Sequence, residues 1–121
     1  MYVSNNNFQA TYDMMKLVSK ENINSMWLLM GGESLVNIDR ERGVRAFLND
    51  KNYEMDLKVV YGLTTIDSVY SYATRHLSNQ NYPDLVFVSG DEKVQGLIRA
   101  CYEKEITIPD DISIIGFDNI P

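Results

Sequence analysis

Leu85-Val86-Phe87-Val88-Ser89-Gly90-Asp91 decides how the rest of the chain is read. Four consecutive apolar residues, with no polar alternation, give way to a hydroxyl, a glycine and a carboxylate. That is the pattern of a strand buried on both faces of a parallel sheet, ending in a turn. Beyond the turn, Val94, Leu97, Ile98 and Cys101 recur at helical spacing, with Asp91 placed to cap the helix. Working outward, three comparable runs appear: Met26–Met30, Leu57–Tyr61 and Ile112–Phe117. Lys58 and Ser113 are their main polar breaks. The four centres fall near residues 28, 59, 87 and 115. Successive gaps of about 30 residues match the size of a βαβ unit.

Helical stripes fill the gaps. Ile66, Val69, Tyr70, Ala73 and Leu77 share one face, and Val44, Phe47 and Leu48 mark a helix after Asp39. Another helix precedes the first run, with Ala10, Met14, Leu17 and Val18 on one side. Pro109-Asp110-Asp111 punctuates the step into the last strand. The order is α-β-α-β-α-β-α-β, an α/β fold with a doubly wound, mainly parallel sheet. No linker, low-complexity tract or internal repeat interrupts it, so residues 1–121 read as a single α/β domain or subdomain.

Size and composition are compatible with that fold. The 121 residues are 45% hydrophobic and 23% charged, ordinary values for one globular domain. The lone cysteine, Cys101, rules out an internal disulfide. The longest apolar run is far too short to span a bilayer, and the polar, asparagine-rich start does not resemble a signal peptide. A cytoplasmic location, with no membrane partner, is the default expectation. A net charge of −6, without a Lys/Arg cluster, argues against direct contact with nucleic acid.

In open parallel sheets, ligands bind beyond the carboxyl ends of the strands. Here those ends read Gly31-Gly32-Glu33-Ser34, Gly62-Leu63-Thr64-Thr65, Ser89-Gly90-Asp91 and Asp118-Asn119, with Arg40 opening the helix after the first loop. Glycines permit close backbone approach. The hydroxyls, carboxylates and guanidinium suit hydrogen bonding to a polyhydroxylated small molecule. Other chemistries lack their residues. Neither GxxxxGK[ST] nor GxGxxG occurs, and Ser34 and Ser89 have no partnered histidine. One histidine, His76, and one cysteine make a zinc site implausible. His76 reads as a surface or structural residue, Cys101 as a small core residue, and Asp110-Asp111 as solvated turn residues. A phosphoacceptor domain of the same fold class would want acids after the first strand, where Gly31-Gly32 stand. Neither an enzymatic activity nor a cofactor is expected.

Ile108-Pro-Asp-Asp-Ile-Ser-Ile-Ile-Gly-Phe-Asp-Asn-Ile-Pro121 resembles the (I/V)P-x-D-(I/V)-S-(I/V)-(I/V)-G-(F/Y)-D-(D/N)-I-P signature of LacI/GalR-type regulators. Val86–Ala100 is similar to that family's "aiFaxnDxxAxGxxrA" stretch, and Arg40–Phe47 to its RxxGF motif. The segment from Val3-Ser4-Asn5-Asn6-Asn7 to Leu29 is similar to "VxxDNxxaaxxaxxxLixxGhxxIaxi". The resemblance covers nearly the whole chain in the family's order and spacing.

It implies the C-terminal part of an effector-binding domain of the periplasmic binding protein-like type. Arg40 matches the arginine that holds a sugar or purine effector, and Asp118 the aspartate that binds sugar hydroxyls. Ser34, Thr64 and Gly90 fall in the loops lining the same pocket. The family further implies a homodimer, and contact with operator DNA through an N-terminal helix-turn-helix head that does not precede Val3. A sugar-binding receptor of a transport system is the alternative with the same architecture. Four departures stand out. Gly90 replaces a ligand-contacting asparagine, and Thr64 stands where an aromatic residue stacks on the sugar. Asn6 replaces an aspartate, and Asn22-Ile23 replace Gly-His. An unusual effector, or weakened binding, is what those departures imply.

Overall fold

The computed structural model describes residues 6–118. Four helices, α1 (Asn6–Val18), α2 (Leu35–Asp50), α3 (Ile66–His76) and α4 (Val94–Glu103), alternate with four strands. The strands are β1 (Ser25–Leu29), β2 (Asp56–Val60), β3 (Leu85–Ser89) and β4 (Ser113–Phe117). All pair in parallel in the order β2-β1-β3-β4. Leu28 lies between Val59 and Phe87, and Phe87 between Leu28 and Ile115.

The period-2 alternation of side chains divides the apolar content between the two faces of the sheet. Met26, Leu28, Leu85 and Phe87 pack with Met14 and Met15 of α1 and with Val44 and Phe47 of α2. Leu29, Val86 and Val88 pack on the other face with Val69 and Ala73 of α3 and with Leu97 and Cys101 of α4. Each helix pair is in close contact, α1 with α2 and α3 with α4. At the second contact Gly96 lets the backbone of α4 meet the first turn of α3. The doubly wound arrangement expected from the sequence is therefore present, with two helices on each face.

Several local expectations are corrected. Burial on both faces holds for β3, whose five residues are all buried. It fails for β2 and β4, which are only partly covered. Both are edge strands with one neighbour each, and Asp56 and Lys58 of β2 face solvent. In α1 the buried stripe is Thr11, Met14, Met15 and Val18, while Leu17 is 66% exposed. Likewise Ile66 and Ile98 are exposed, and Tyr72 and Ala100 take inward positions instead. Helix α2 starts at Leu35, capped by Ser34, whose Oγ accepts from the Asn37 N–H at 3.2 Å. Arg40 thus lies in the second turn rather than at the start. The first inward positions of the helix are the polar Asn37 and Arg40, so no apolar stripe reveals that first turn. Among the described residues, no helix is long and apolar enough to cross a membrane.

Candidate functional site

The crevice predicted for an open parallel sheet arises where neighbouring strands send their chains to opposite faces. Here those strands are β1 and β3. From β1 the chain turns into α2 on one face, and from β3 into α4 on the other. Side chains of α1 and α2, Ser89, Lys93 and backbone carbonyls from the strand-end loops converge near that point.

Helix α2 supplies two of them. Its Ser34 cap fixes the first turn, and that turn aims Asn37 and, one turn later, Arg40 under the strand ends. Arg40 is 4% exposed. Its Nε donates to Asn7 Oδ1 at 3.0 Å, one terminal nitrogen to Ser89 Oγ at 2.8 Å, and the other to the Asp118 carbonyl at 2.6 Å. The guanidinium also lies 5.1 Å from the centre of the Phe117 ring, a cation–π distance. Burial pulls its pKa down, and the nearby Asp118 carboxylate opposes that shift. From behind, Thr11 Oγ1 donates to the Arg40 carbonyl at 2.9 Å, tying α1 to the site.

Ser89 and Asn37 extend the network. Ser89 Oγ accepts from Arg40 and donates to Asn37 Oδ1 at 2.5 Å, which uses both capacities of the hydroxyl. Asn37 Nδ2 donates to the Gly32 carbonyl at 2.8 Å, securing the β1 loop. One helical turn beyond Asn37, Glu41 Oε1 accepts from the Tyr61 hydroxyl at 2.7 Å, and burial pushes that phenol well above its ordinary range. Asp39 and Glu41, the sequence neighbours of Arg40, pair with Arg42 and Arg45.

A second cation sits on the other side of the crevice. Gly90 has φ +116°, a conformation L side chains rarely adopt, and it starts a single 3₁₀ turn, Asp91–Lys93. This extra turn corrects the capping role expected of Asp91, because Lys93 occupies the N-cap of α4. Lys93 is 5% exposed, and its Nζ donates to the Leu63 carbonyl at 2.7 Å. A Cβ on Gly90 would stand 2.7 Å from Lys93 Cε, so the lysine fills the space a side chain at 90 would need. Burial lowers the pKa of Lys93, while the charge of Glu92 raises it.

The five residues singled out in the sequence are placed unequally. Arg40, Asp118 and Gly90 come together around Ser89. Ser34 joins only through Asn37. Thr64 is exposed on the β2 side, next to the carbonyl that receives Lys93. The Asp118 side chain is exposed as well. Asn119, and Val3-Ser4-Asn5 of the first motif, lie outside the described residues. Asn37 and Lys93 were missed. Asn37 sits three residues before Arg40, one helical turn away on the same face. Lys93 stands four and eight residues before Leu97 and Cys101, a lysine on an apolar stripe. Two recesses lie away from the crevice, at the other end of the strands. One of 460 Å³ is lined by Ser25, Trp27, Lys58 and His76, and a wider one borders Asn52, Tyr53 and Asp56. His76 is exposed and stacks on Tyr72 at 4.2 Å, and buried Cys101 has its thiol pKa pushed up to about 11.

The family profile of the periplasmic binding protein-like domain matches residues 21–121. The HTH-type transcriptional repressor PurR of Serratia proteamaculans is 34% identical over 82 residues, covering 67% of this chain and 24% of that protein. The HTH-type transcriptional regulator GalR of Streptococcus thermophilus is 28% identical over 109 residues, covering 84% of this chain and 33% of that protein. The chain thus spans a quarter to a third of these relatives' length. Among solved structures, the transcription regulator CcpA of Lactococcus lactis superposes with a TM-score of 0.80 at 25% identity, covering 94% of this chain and 42% of that one. The Escherichia coli transcriptional repressor ascG gives 0.79 at 21% identity, covering 95% and 42%.

Proposed function

Because this chain belongs to the periplasmic binding protein-like domain family, in its LacI/GalR regulator branch, we propose that it is a ligand-sensing module of a DNA-binding transcriptional repressor. The observation that carries this reading is the buried Arg40–Ser89–Asn37 network, laid across the crevice between β1 and β3 and closed by the Asp118 carbonyl. Such a network holds polar groups in fixed positions at the edge where open α/β sheets take their ligands. It supports binding rather than turnover: among the described residues no nucleophile–base pair accompanies it.

In this reading residues 1–121 are one subdomain of a larger effector-binding domain, and its strand ends form one wall of a cleft. The effector is a sugar, a related polyol or a nucleobase. Asp118 supplies acceptors for hydroxyl groups, Ser34, Thr64 and Gly90 border the pocket, and Arg40 anchors it. Operator DNA is reached through a separate basic head, since this unit is acidic and its sequence has no Lys/Arg cluster to track a DNA backbone. The protein works in the cytoplasm as a homodimer. Effector bridging the two walls favours one closure state, and it does so only through different affinities for the two states. A transport receptor, the other architecture-compatible reading, is not favoured, because the curated relatives are repressors and regulators.

The test uses the full-length gene product on its own operator. Asp118→Asn and Arg40→Ala should raise the effector concentration for half-maximal response by about tenfold or more, the scale of a lost charge-assisted hydrogen bond. Operator affinity without effector should stay the same. Unchanged dose–response curves in both variants would remove the site from this edge.

A further inference from the structure

The charge of Lys93 is only partly met within the fold. The side-chain ion pairs between described residues all lie on helix surfaces, as Asp13–Lys16, Asp39–Arg42, Glu41–Arg45 and Arg99–Glu103. The ammonium of Lys93 is buried away from them. Its one hydrogen bond among the described residues goes to a neutral acceptor, the Leu63 carbonyl, although an ammonium carries three donors. The Glu92 carboxylate on the same turn offsets part of that cost, and a desolvated cation only partly compensated in this way gains from a further counter-charge. An apolar side chain would serve the helix stripe at residues 93, 97 and 101 better.

The position of the ammonium says where that counter-charge would come from. Lys93 Nζ is bonded to the β2 loop at Leu63 and lies 3.1 Å from the point where a Cβ of Gly31 would stand, in the β1 loop. Its own stem runs under Gly90 in the β3 loop. Three strand-end loops therefore meet at one cation, and two of them present glycine to it. Asn37 Nδ2 is 3.8 Å from the same Cβ point, and Asn37 leads through Ser89 to Arg40. Two buried cations thus flank the crevice of a chain whose net charge is −6.

We propose that Lys93 is the specificity-determining residue of this cleft, and that the effector it selects is an anionic sugar, carrying a carboxylate or a phosphate to the ammonium between the Gly31, Leu63 and Gly90 loops. This rests on the sensing reading above and narrows its ligand class. Burial, which lowers the lysine's pKa in the ligand-free chain, would be offset by the incoming anion.

Isothermal titration of the full-length gene product with glucose, glucuronate, glucose 6-phosphate, galactose, galacturonate and galactose 6-phosphate tests this. The wild type should bind one acid or one phosphate about tenfold or more tighter than its neutral parent. Which of the two does so identifies the source of the negative charge. In Lys93→Met the preference should collapse to about twofold or less, while the ligand-free melting temperature stays level or rises, as expected when a poorly compensated buried charge is replaced by an apolar isostere. Gly31→Ala, which sets a methyl against Nζ and leaves the lysine in place, should erode the same preference and serves if Lys93→Met does not fold. Equal or tighter binding of the neutral parent, or an anion preference that survives both substitutions, would overturn the role of Lys93 and leave sugar sensing standing. A lower ligand-free melting temperature in Lys93→Met would overturn it too, by marking the lysine as structural. Binding of none of the six would overturn the sensing reading and this inference together.

Discussion

Gly96→Ala should destabilise the domain although alanine is the better helix former. A Cβ at this position would lie 2.4 Å from the Ile66 carbonyl oxygen and 3.0 Å from the Tyr70 nitrogen. Both atoms belong to the backbone of the first turns of α3, so no rotamer change relieves the contact, and the two helices must separate by about 1 Å. Helix propensity favours the substitution by about 1 kcal/mol, while overpacking of this kind costs about 1–3 kcal/mol or more. The separation also loosens Leu97 and Ala100 from Val69 and Ala73, all of them buried. Set against the propensity gain, the net loss is about 1–2 kcal/mol once the loosened core is included, which corresponds to ~4–10 °C in melting temperature for a domain of this size. Urea titration followed by circular dichroism measures it, with a lower midpoint and an unchanged slope as the expected signature. Gly32→Ala is the internal control, because a Cβ there meets nothing within 4 Å, and its effect should stay within about 0.5 kcal/mol. A Gly96→Ala protein as stable as the Gly32→Ala protein would refute the close α3–α4 contact.

Thr65→Ala should cost about 1 kcal/mol in the same titration, because it removes one half of a reciprocal cap in which Thr65 Oγ1 accepts from Ser68 N–H and Ser68 Oγ accepts from Thr65 N–H. No change would mean that the cap does not form in solution. Cys101 should resist a thiol reagent in the native protein and react fully in urea; fast native labelling would contradict its burial. Its folded thiol titrates at about 11 against an ordinary 9.0. The unfolded chain therefore loses its proton first as pH rises, and stability relative to Cys101→Ala should decline between pH 9 and 11. Equal pH slopes for the two proteins would refute that shift. Amide exchange should be slowest in Val86, Phe87 and Val88 of β3, the strand paired on both sides and buried throughout; faster exchange there than in β2 would contradict the strand order.

The strand spacing, the αβ alternation and the strand ends that gather at one edge were all legible in the sequence, because parallel strands must be apolar and must stop at polar turns. What was not legible lay where helix phase decides. Leu17, Ile66 and Ile98 fit an apolar period yet point outward, since a short stripe is satisfied by two registers and only tertiary contact chooses between them. At the site, Arg40 and Asp118 could be named from motif context. Their partners could not, because Asn37 and Ser89 are unremarkable polar residues until the fold brings them within 2.5 Å of each other. Lys93 was overlooked for another reason. A lysine in the first turn of a helix expected to start at Asp91 reads as solvent-facing, and only its spacing to Leu97 and Cys101 hints that it folds inward.

Each wall-forming loop belongs to a different strand–helix unit, at residues 31, 63, 90 and 118, about thirty positions apart, while the two apolar layers that stabilise the fold lie beneath them. Ligand choice and foldability are therefore written in separate letters of this sequence. A pair of substitutions at one loop, such as glycine for a larger residue at 90 together with a lysine three positions on, can retune what is recognised while the two apolar layers keep their contacts. That separation is a route by which one scaffold comes to answer many chemical signals.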